Sequence, residues 1–598
     1  MKLHLPKVLL SAVLAASYAF SAQAVEIPDT FEQVPLWTAD YLSDYITNNQ
    51  EDQYAFILWT DVDFTPTSNP DWNSSTSLVS GGQLIFTSSE GYAPVALSFS
   101  DGPSSAFKEP ASLTFDTLSK LTFSNLKDSN YGAAINIGSG SLYIHNVTDG
   151  IDDAEQADVL FSGNKSTGSS SYYGGAIRAN GSSSVIDISG NGGVSFTGNY
   201  ISSSSYYYSY GGAIYATGSL SISNNADVSF AGNYTSSSAT SAYSYCYSYG
   251  GAIYATGSLG ISNNADVSFT GNYTSSSAFS NRYNSYSYGG AIYATGSLSI
   301  SNNANVSFTD NYSSSFNTYS SYAHSYGGAI YSTSSLSISN NGDVLFTGNY
   351  TSANGPSYGG AIYSTGSLSI VGNESVVFEK NYEKYGSTYR LRSLHMYTDS
   401  SSDNLILSAK TGGHITFYDS VYKSSSGTVS FNADYTDEDG ITQKAGGDII
   451  FSGQYTAEHL QEIKGDTAGT ASEIANSQTS EIYSLITLYG GSLQVVDGAK
   501  LNGRGLTVAA NSGAKLLLRD GSMSHGSYNF TFNSGTTLEL QGYNTITATK
   551  ITMGSGSELT VVVDAGHQNT AALTLGDTDL STSQLTINLD RTDGLRSG

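Results

Sequence analysis

Charge, cysteine and proline are all scarce in this 598-residue chain. Charged residues make up 12% of it, about half the ~25% of an ordinary soluble domain, which argues against a string of conventional globular domains. A single cysteine, Cys246, excludes an intramolecular disulfide framework. Nine prolines exclude a proline-rich linker. Of the two signs of charge, the positive is the scarcer. With 23 Lys+Arg against 50 Asp+Glu the formal net charge is −27, so neither nucleic acid nor anionic lipid is an expected partner. After the N-terminal leader no stretch approaches the ~18 apolar residues of a membrane helix.

Glycine (64) and tyrosine (46, twice the 23 phenylalanines) are abundant instead. A disordered chain this polar carries few aromatics, yet 12% of this one is aromatic, so the rings must stack or be buried. The N-terminus reads as a secretory signal: Lys2 and Lys7, an apolar run over 9–20, and Ala22-Gln23-Ala24, with cleavage expected between Ala24 and Val25. A bacterial protein threaded unfolded through a second membrane benefits from having no disulfides. Cys246, in a Tyr/Ser segment read as a loop, is expected to be incidental.

Self-similarity is the main signal. Tyr-Gly-Gly-Ala-Ile recurs with its first glycine at Gly174, Gly211, Gly250, Gly289, Gly327 and Gly359. Phe-x-x-Asn-Tyr follows at Phe196, Phe230, Phe269, Phe308, Phe346 and Phe378. Glycine to phenylalanine is 22 residues in the first repeat and 19 in the other five, whereas phenylalanine to the next glycine varies from 13 to 20. Each repeat therefore has a rigid part and a part of free length. The rigid part, as in GAIYAT, LGISNN and VSFTGNY over 250–273, is three short pieces of period-two apolar pattern with glycine or Asn-Asn between them. Four antiparallel strands of a propeller blade do not fit in it. The expected fold is all-β: a right-handed, single-stranded parallel β-helix, or solenoid, with one three-strand coil per ~38-residue repeat.

Aligned on the phenylalanines, Asn199, Asn233, Asn272, Asn311, Asn349 and Asn381 share one position. Tyr200 to Tyr382 share the next, and Asn191, Asn225, Asn264, Asn303, Asn341 and Asn373 a third. Identical residues one coil apart lie roughly 4.8 Å from each other. Phe ladders inside, Asn ladders at the bends and Tyr ladders at a rim follow from that spacing.

GGAI and FxxN alternating along one chain resemble the repeats of chlamydial polymorphic outer-membrane proteins and related autotransporter passengers. The resemblance covers 174–382, with weaker copies at Tyr131-Gly132-Ala133-Ala134-Ile135 and Phe161-Ser162-Gly163-Asn164. It implies a β-helical protein of type V secretion, at the bacterial cell surface or outer membrane or released, and often adhesive. The family also carries a C-terminal β-barrel, whose alternating pattern is not seen up to Gly598. Attachment to the outer membrane is therefore expected only through a barrel outside this sequence.

Outside the repeats the expected organisation is a signal peptide over 1–24, an N-terminal cap over 25–80 and irregular coils over 81–173. An irregular or inserted region with a helix near 456–480 then occupies 383–480, and a second, barrel-proximal β-helical stretch 481–598. Residues 25–80 hold all three tryptophans, Trp37, Trp59 and Trp72, and a helix is expected near 38–47.

No catalytic site, cofactor or metal is expected. Arg178, Arg282, Lys380 and His324 are scattered through the repeat block and form no repeated set, and the eight histidines, read as surface residues, lack paired ligand spacing. Asp227, Asp266 and Asp343 share a column with Asn305. Stacked carboxylates of that kind bind Ca²⁺ elsewhere, but turn residues with solvated side chains are the expected reading here. The free-length segments 201–209, 235–248 and 274–287, read as loops on one face, are rich in Tyr and Ser as antibody paratopes are. Tyr206, Tyr207, Tyr208, Tyr243, Tyr245, Tyr247, Tyr283 and Tyr286 are the candidate adhesive residues, with a glycan or protein of a host or neighbouring cell as partner. Two alternatives stay open: an extracellular carbohydrate-active β-helical lyase or glycosidase with its site in 383–480, and a purely structural stalk.

Overall fold

The computed structural model describes residues 32–36, 53–64, 82–88, 94–101, 106–128, 134–148, 158–168, 172–204, 208–239, 245–278, 284–318, 323–437, 439–510, 512–524, 528–563 and three short strands between 573 and 589. The signal sequence, Trp37, Trp72 and the helix expected near 38–47 lie outside them.

The chain winds as a parallel β-helix with three walls. The first wall is an eighteen-stranded sheet running from Glu32–Leu36 to Thr578–Asp579, about 80 Å at the strand spacing. In the repeats it registers leucine on leucine and isoleucine on isoleucine, as in Leu259↔Leu298 and Ile261↔Ile300. The second wall, from Val62–Phe64 to Gln584–Leu589, carries the phenylalanines. The third is made of three-residue strands such as Ile253–Ala255, entered from the Gly-Gly bend. One continuous buried cluster extends from Tyr54 to Leu559. Between 25 and 80 the described residues include strands Glu32–Leu36, Gln53–Leu58 and Val62–Phe64, which pair in parallel with the coils that follow.

Repetition of one residue per position makes each wall a set of columns. Phe196, Phe230, Phe269, Phe308, Phe346 and Phe378 stack with centroids 4.8 Å apart and planes within 9°. The stack continues beyond the repeats, back to Phe64 through Phe99, Phe123 and Phe161 and forward to Phe451. Burial of each ring contributes roughly 1.5–3 kcal/mol and each stacked pair about 0.5–1.5 kcal/mol more.

The bends are held by two asparagine ladders. Asn272 Nδ2 donates to Asn311 Oδ1 (2.9 Å) and to Phe230 O (2.8 Å), while its Oδ1 accepts from the backbone and side-chain nitrogens of Asn233, both at 3.0 Å. All the hydrogen-bonding capacity of a buried amide is thereby used. The residue before each ladder asparagine has a left-handed backbone, as at Asn263 (φ 56°) and Gly271 (φ 60°). Asn-Asn and Gly-Asn pairs supply that conformation at low cost. The second ladder runs from Asn164 to Asn381 and ends on a carboxylate: Asn381 N and Nδ2 donate to Asp419 Oδ2 at 2.9 and 2.8 Å.

The free-length segments begin and end as strands rather than loops, so a repeat carries two further strands besides its three wall strands. Tyr200–Ser203, Tyr234–Ala239, Tyr273–Ala278, Tyr312–Asn317, Tyr350–Ala353 and Tyr382–Tyr385 stack as one parallel layer. Tyr172–Tyr173, Tyr208–Tyr210, Cys246–Tyr249, Ser285–Tyr288, Ala323–Tyr326 and Ser357–Tyr358 form a second. The two layers pack face to face as a fin on the helix. Their facing residues are small, which lets the backbones come close enough for hydroxyls to cross-link them: Ser248 Oγ donates to Ser275 O (2.7 Å) and Ser276 Oγ to Tyr286 O (2.6 Å). Cys246 lies in this interior, buried beside Ala239 and Ala278, not in a loop.

Residues 383–480 close the fin. Tyr382–Tyr385 turns back through Gly386 and pairs antiparallel with the start of Thr388–Met396. Helices α1 (Thr456–Ile463) and α2 (Ala471–Ser477) pack near that edge, within the region where a helix was expected. Glu473 of α2 closes a capping box with Thr470 and accepts from Tyr389 N (3.1 Å), while Ser477 Oγ accepts from Leu391 N (2.9 Å). Unpaired backbone donors at the sheet edge are thereby satisfied. From Thr479 the three walls continue toward the end of the chain.

Candidate functional site

The surface follows from the Gly-Gly bend. Gly250 has φ 59°, and a Cβ there would lie 2.1 Å from Ile253 O; one on Gly251 would lie 2.0 Å from Gly290 O. No side chain fits, so the chain turns sharply from the outer fin strand into the third wall. Tyr249 before the bend and Tyr254 after it meet edge to face inside the corner, 6.1 Å apart at 76°.

Repeated coil after coil, this contact makes three columns of rings. Tyr208, Tyr247, Tyr286 and His324 form the outer one, with successive centroids 4.9, 5.2 and 5.0 Å apart. Two residues on, Tyr173, Tyr210, Tyr249, Tyr288, Tyr326 and Tyr358 form the middle one, mostly at 5.0–5.1 Å. Tyr215, Tyr254, Tyr293, Tyr331 and Tyr363 form the inner one on the wall at 5.0–5.4 Å. Middle and inner rings interlock across coils as well, Tyr249 meeting Tyr293 at 5.0 Å and 74°. A fourth column, from Tyr200 to Tyr382, marks the start of the inner fin strands, where a rim ladder was expected.

The phenols of the face are uncharged, while Arg178 lies 5.5 Å over the Tyr173 ring at one end of it. Burial pushes the Tyr215, Tyr247 and Tyr331 hydroxyls up to about 12. Burial, with neighbouring phenols adding to it, also raises Tyr249, Tyr254, Tyr288 and Tyr293. All remain protonated at physiological pH and present O–H donors. Within the described residues the hydroxyls of Tyr249, Tyr254, Tyr288 and Tyr293 make no hydrogen bond.

Three stretches of the chain, 266–295, 305–333 and 343–365, match the Chlamydia polymorphic membrane protein repeat. The similarity is confined to these three stretches, all inside the repeat block. No curated protein and no solved structure matches it. The matched stretches hold second-wall strands, inner fin strands, Gly-Gly bends and third-wall strands, so these repeats include the motifs that build the tyrosine corner.

Of the residues singled out for adhesion, Tyr208, Tyr247 and Tyr286 stand in the outer column, and Tyr245 is 5.9 Å from Tyr247. Tyr206, Tyr207, Tyr243 and Tyr283 lie outside the described residues, as does Arg282. The middle and inner columns were not singled out. Their signal was the Tyr-x-Tyr-Gly-Gly-Ala-Ile-Tyr run itself, whose alternation continues into the bend.

Among other candidates, Asp227, Asp266, Asn305 and Asp343 share one register column of the second wall. Asn305 Nδ2 donates to Asp266 Oδ1 (2.6 Å). Among the described residues no group of three or more His, Cys, Asp or Glu is placed to hold a metal ion.

Two histidines read as surface residues are buried. His395 continues the inner column 5.3 Å from Tyr363, and His459 lies against Tyr455 and Tyr418. Around His395, Glu383 meets Arg392 (3.5 Å) and His395 (3.6 Å), and Arg392 also meets Glu481 (3.3 Å). Burial opposes ionisation of Glu383, yet Arg392 and His395 hold its carboxyl down at about 2. Burial lowers His395, with its contact to Glu383 opposing that shift. A carboxyl already ionised and ion-paired has no proton to donate near neutral pH, which is unlike the general acid of a glycosidase.

Proposed function

We propose that this chain is the β-helical passenger of an autotransporter, displayed at the bacterial surface, and that it adheres through the tyrosine face. The observation that carries the reading is the three-column array, four to six rings deep. It is built of stacked, uncharged phenols, and its repetition suits many weak contacts that add by avidity. Tyrosine supplies contact area at low entropic cost because only two side-chain torsions need fixing. The N-terminal leader, the acidic composition and the polymorphic membrane protein repeats agree with export to the surface.

The test is binding of the purified chain to cells, matrix-protein arrays and glycan arrays, with sugar release assayed in the same wells. Saturable binding without turnover is expected. It should fall at least tenfold when Tyr247, Tyr249, Tyr286 and Tyr288 are all replaced by serine. Undiminished binding by that variant removes the tyrosine face from the reading, and release of sugar replaces it with an enzyme.

A further inference from the structure

The tyrosine corner has a period, and a period selects its ligand. The phenylalanine stack sets the advance per coil at 4.8 Å, so two coils advance about 9.6 Å. A polyproline II strand repeats every three residues at ~3.1 Å each, or about 9.3 Å per turn. Laid along the corner, it offers one equivalent face to every second coil and stays in step across the array. An extended β-strand repeats at about 6.8 Å and meets neither one coil nor two. An α-helix, with a pitch of ~5.4 Å, slips half a coil within about four coils.

The chemistry points the same way. The middle and inner columns meet edge to face, Tyr249 with Tyr254 at 6.1 Å and with Tyr293 at 5.0 Å, and their hydroxyls lack partners among the described residues. A polyproline II strand has no internal hydrogen bonds, so its carbonyls are free to accept. Proline has no N–H that would need an acceptor. Aromatic-lined grooves are the recurrent way in which folded domains dock such strands, because the ligand is already ordered. Burial of the phenols keeps every hydroxyl a donor across the physiological range.

Resting on the adhesive reading above, we infer that the corner between the middle and inner tyrosine columns binds a proline-rich polyproline II segment of a partner protein, aligned with the helix axis. The hydroxyls of Tyr249, Tyr254, Tyr288 and Tyr293 donate to its carbonyls, and its pyrrolidine rings pack against the ring edges.

The probe is a series of proline peptides of six, nine, twelve and fifteen residues, titrated by fluorescence anisotropy into the full chain. A glycine-serine peptide and a neutral β-linked oligosaccharide serve as comparators. Affinity is expected to rise with each added turn until the array is covered, and the glycine-serine peptide is expected not to bind. The double variant Tyr249→Phe, Tyr288→Phe keeps both rings and loses two donors. It is expected to fold as the parent does by circular dichroism and to bind the peptide about ten- to thirtyfold more weakly. Binding of the oligosaccharide in place of the peptide, with the same sensitivity to Tyr→Phe, overturns the ligand class and leaves adhesion standing. No peptide binding while cells still bind through the tyrosine face does the same. Failure of cells and probes alike removes the adhesive reading itself.

Discussion

In the repeat block Phe269 and Phe308 face each other across 4.8 Å, and Asn272 Nδ2 donates a hydrogen bond of 2.9 Å to Asn311 Oδ1. In the later coils the phenylalanine column is filled by Val495, Leu518 and Leu540 in the same register, and no asparagine ladder accompanies it among the described residues. Both stretches wind on three parallel walls, so aliphatic burial alone is enough to make a coil. The repeat block does more, because each coil also carries a fin whose two layers must stay in register over six coils. A slip of one residue turns a strand's faces over. Stacked rings and saturated amide ladders penalise such slips where aliphatic side chains do not.

Truncation should expose the contrast first. Phe308→Ala leaves a cavity and breaks two ring stacks, so we expect a loss of about 4–5 kcal/mol in urea unfolding. Leu518→Ala, in the same column without rings, should cost about 3 kcal/mol. Equal losses would show that stacking contributes nothing beyond burial. Asn272→Ala comes next. It orphans Phe230 O and the Asn233 amide in the interior, for about 3 kcal/mol. Asn502→Ala, in a later coil where the side chain makes no hydrogen bond among the described residues, should cost less than about 0.5 kcal/mol.

The end of the ladder is sensitive to pH. Burial pushes the Asp419 carboxyl up from its ordinary 3.8 to about 7, with the donated bonds from Asn381 opposing that rise. Between those values the folded chain binds a proton that the unfolded chain has released. Stability from this group is therefore full below about pH 4 and is lost as pH rises to about 7. Asp419→Asn continues the ladder with a neutral amide. The stability of the parent relative to this variant should decline from pH 4 to 7, by on the order of 2 kcal/mol. A flat difference would mean that Asp419 is ionised throughout. Subtracting the variant removes the contribution of Glu383, whose depressed value acts in the opposite sense.

The walls were legible in the sequence because both of their signals are local. Period-two apolar residues mark each strand, and the constant 19 residues from Gly250 to Phe269 and its equivalents mark a fixed path. The fin was hidden because Thr274, Ser275, Ser276 and Ser277 alternate between buried and half-exposed positions without any change in polarity. Serine there is selected for smallness between two close backbones, a property that hydropathy does not register. Asp419 was missed for a similar reason. It lies two residues after Phe417, whereas ladder asparagines lie three after theirs, so alignment on the phenylalanine passes over it. The inner column carries no separate signal because Tyr215 and Tyr254 fall in the constant part of the repeat, where scaffold and surface residues recur alike.

The smallest expected effect tests how closely the fin interior is packed. The Cys246 thiol, pushed up to about 12 by burial, is a neutral donor to Ser277 O at 3.1 Å, in register with Ser285. Cys246→Ser places the residue of the next coil in the same position and keeps a donor, so its unfolding free energy should match the parent's within about 0.5 kcal/mol. Cys246→Leu keeps apolar character but adds volume between the layers, and should cost about 1–3 kcal/mol. It should also spread Tyr247 from Tyr286, since both strands share the displaced layer. If leucine were accepted as readily as serine, the layers would not be in contact, and smallness would not explain why this interior is serine and alanine.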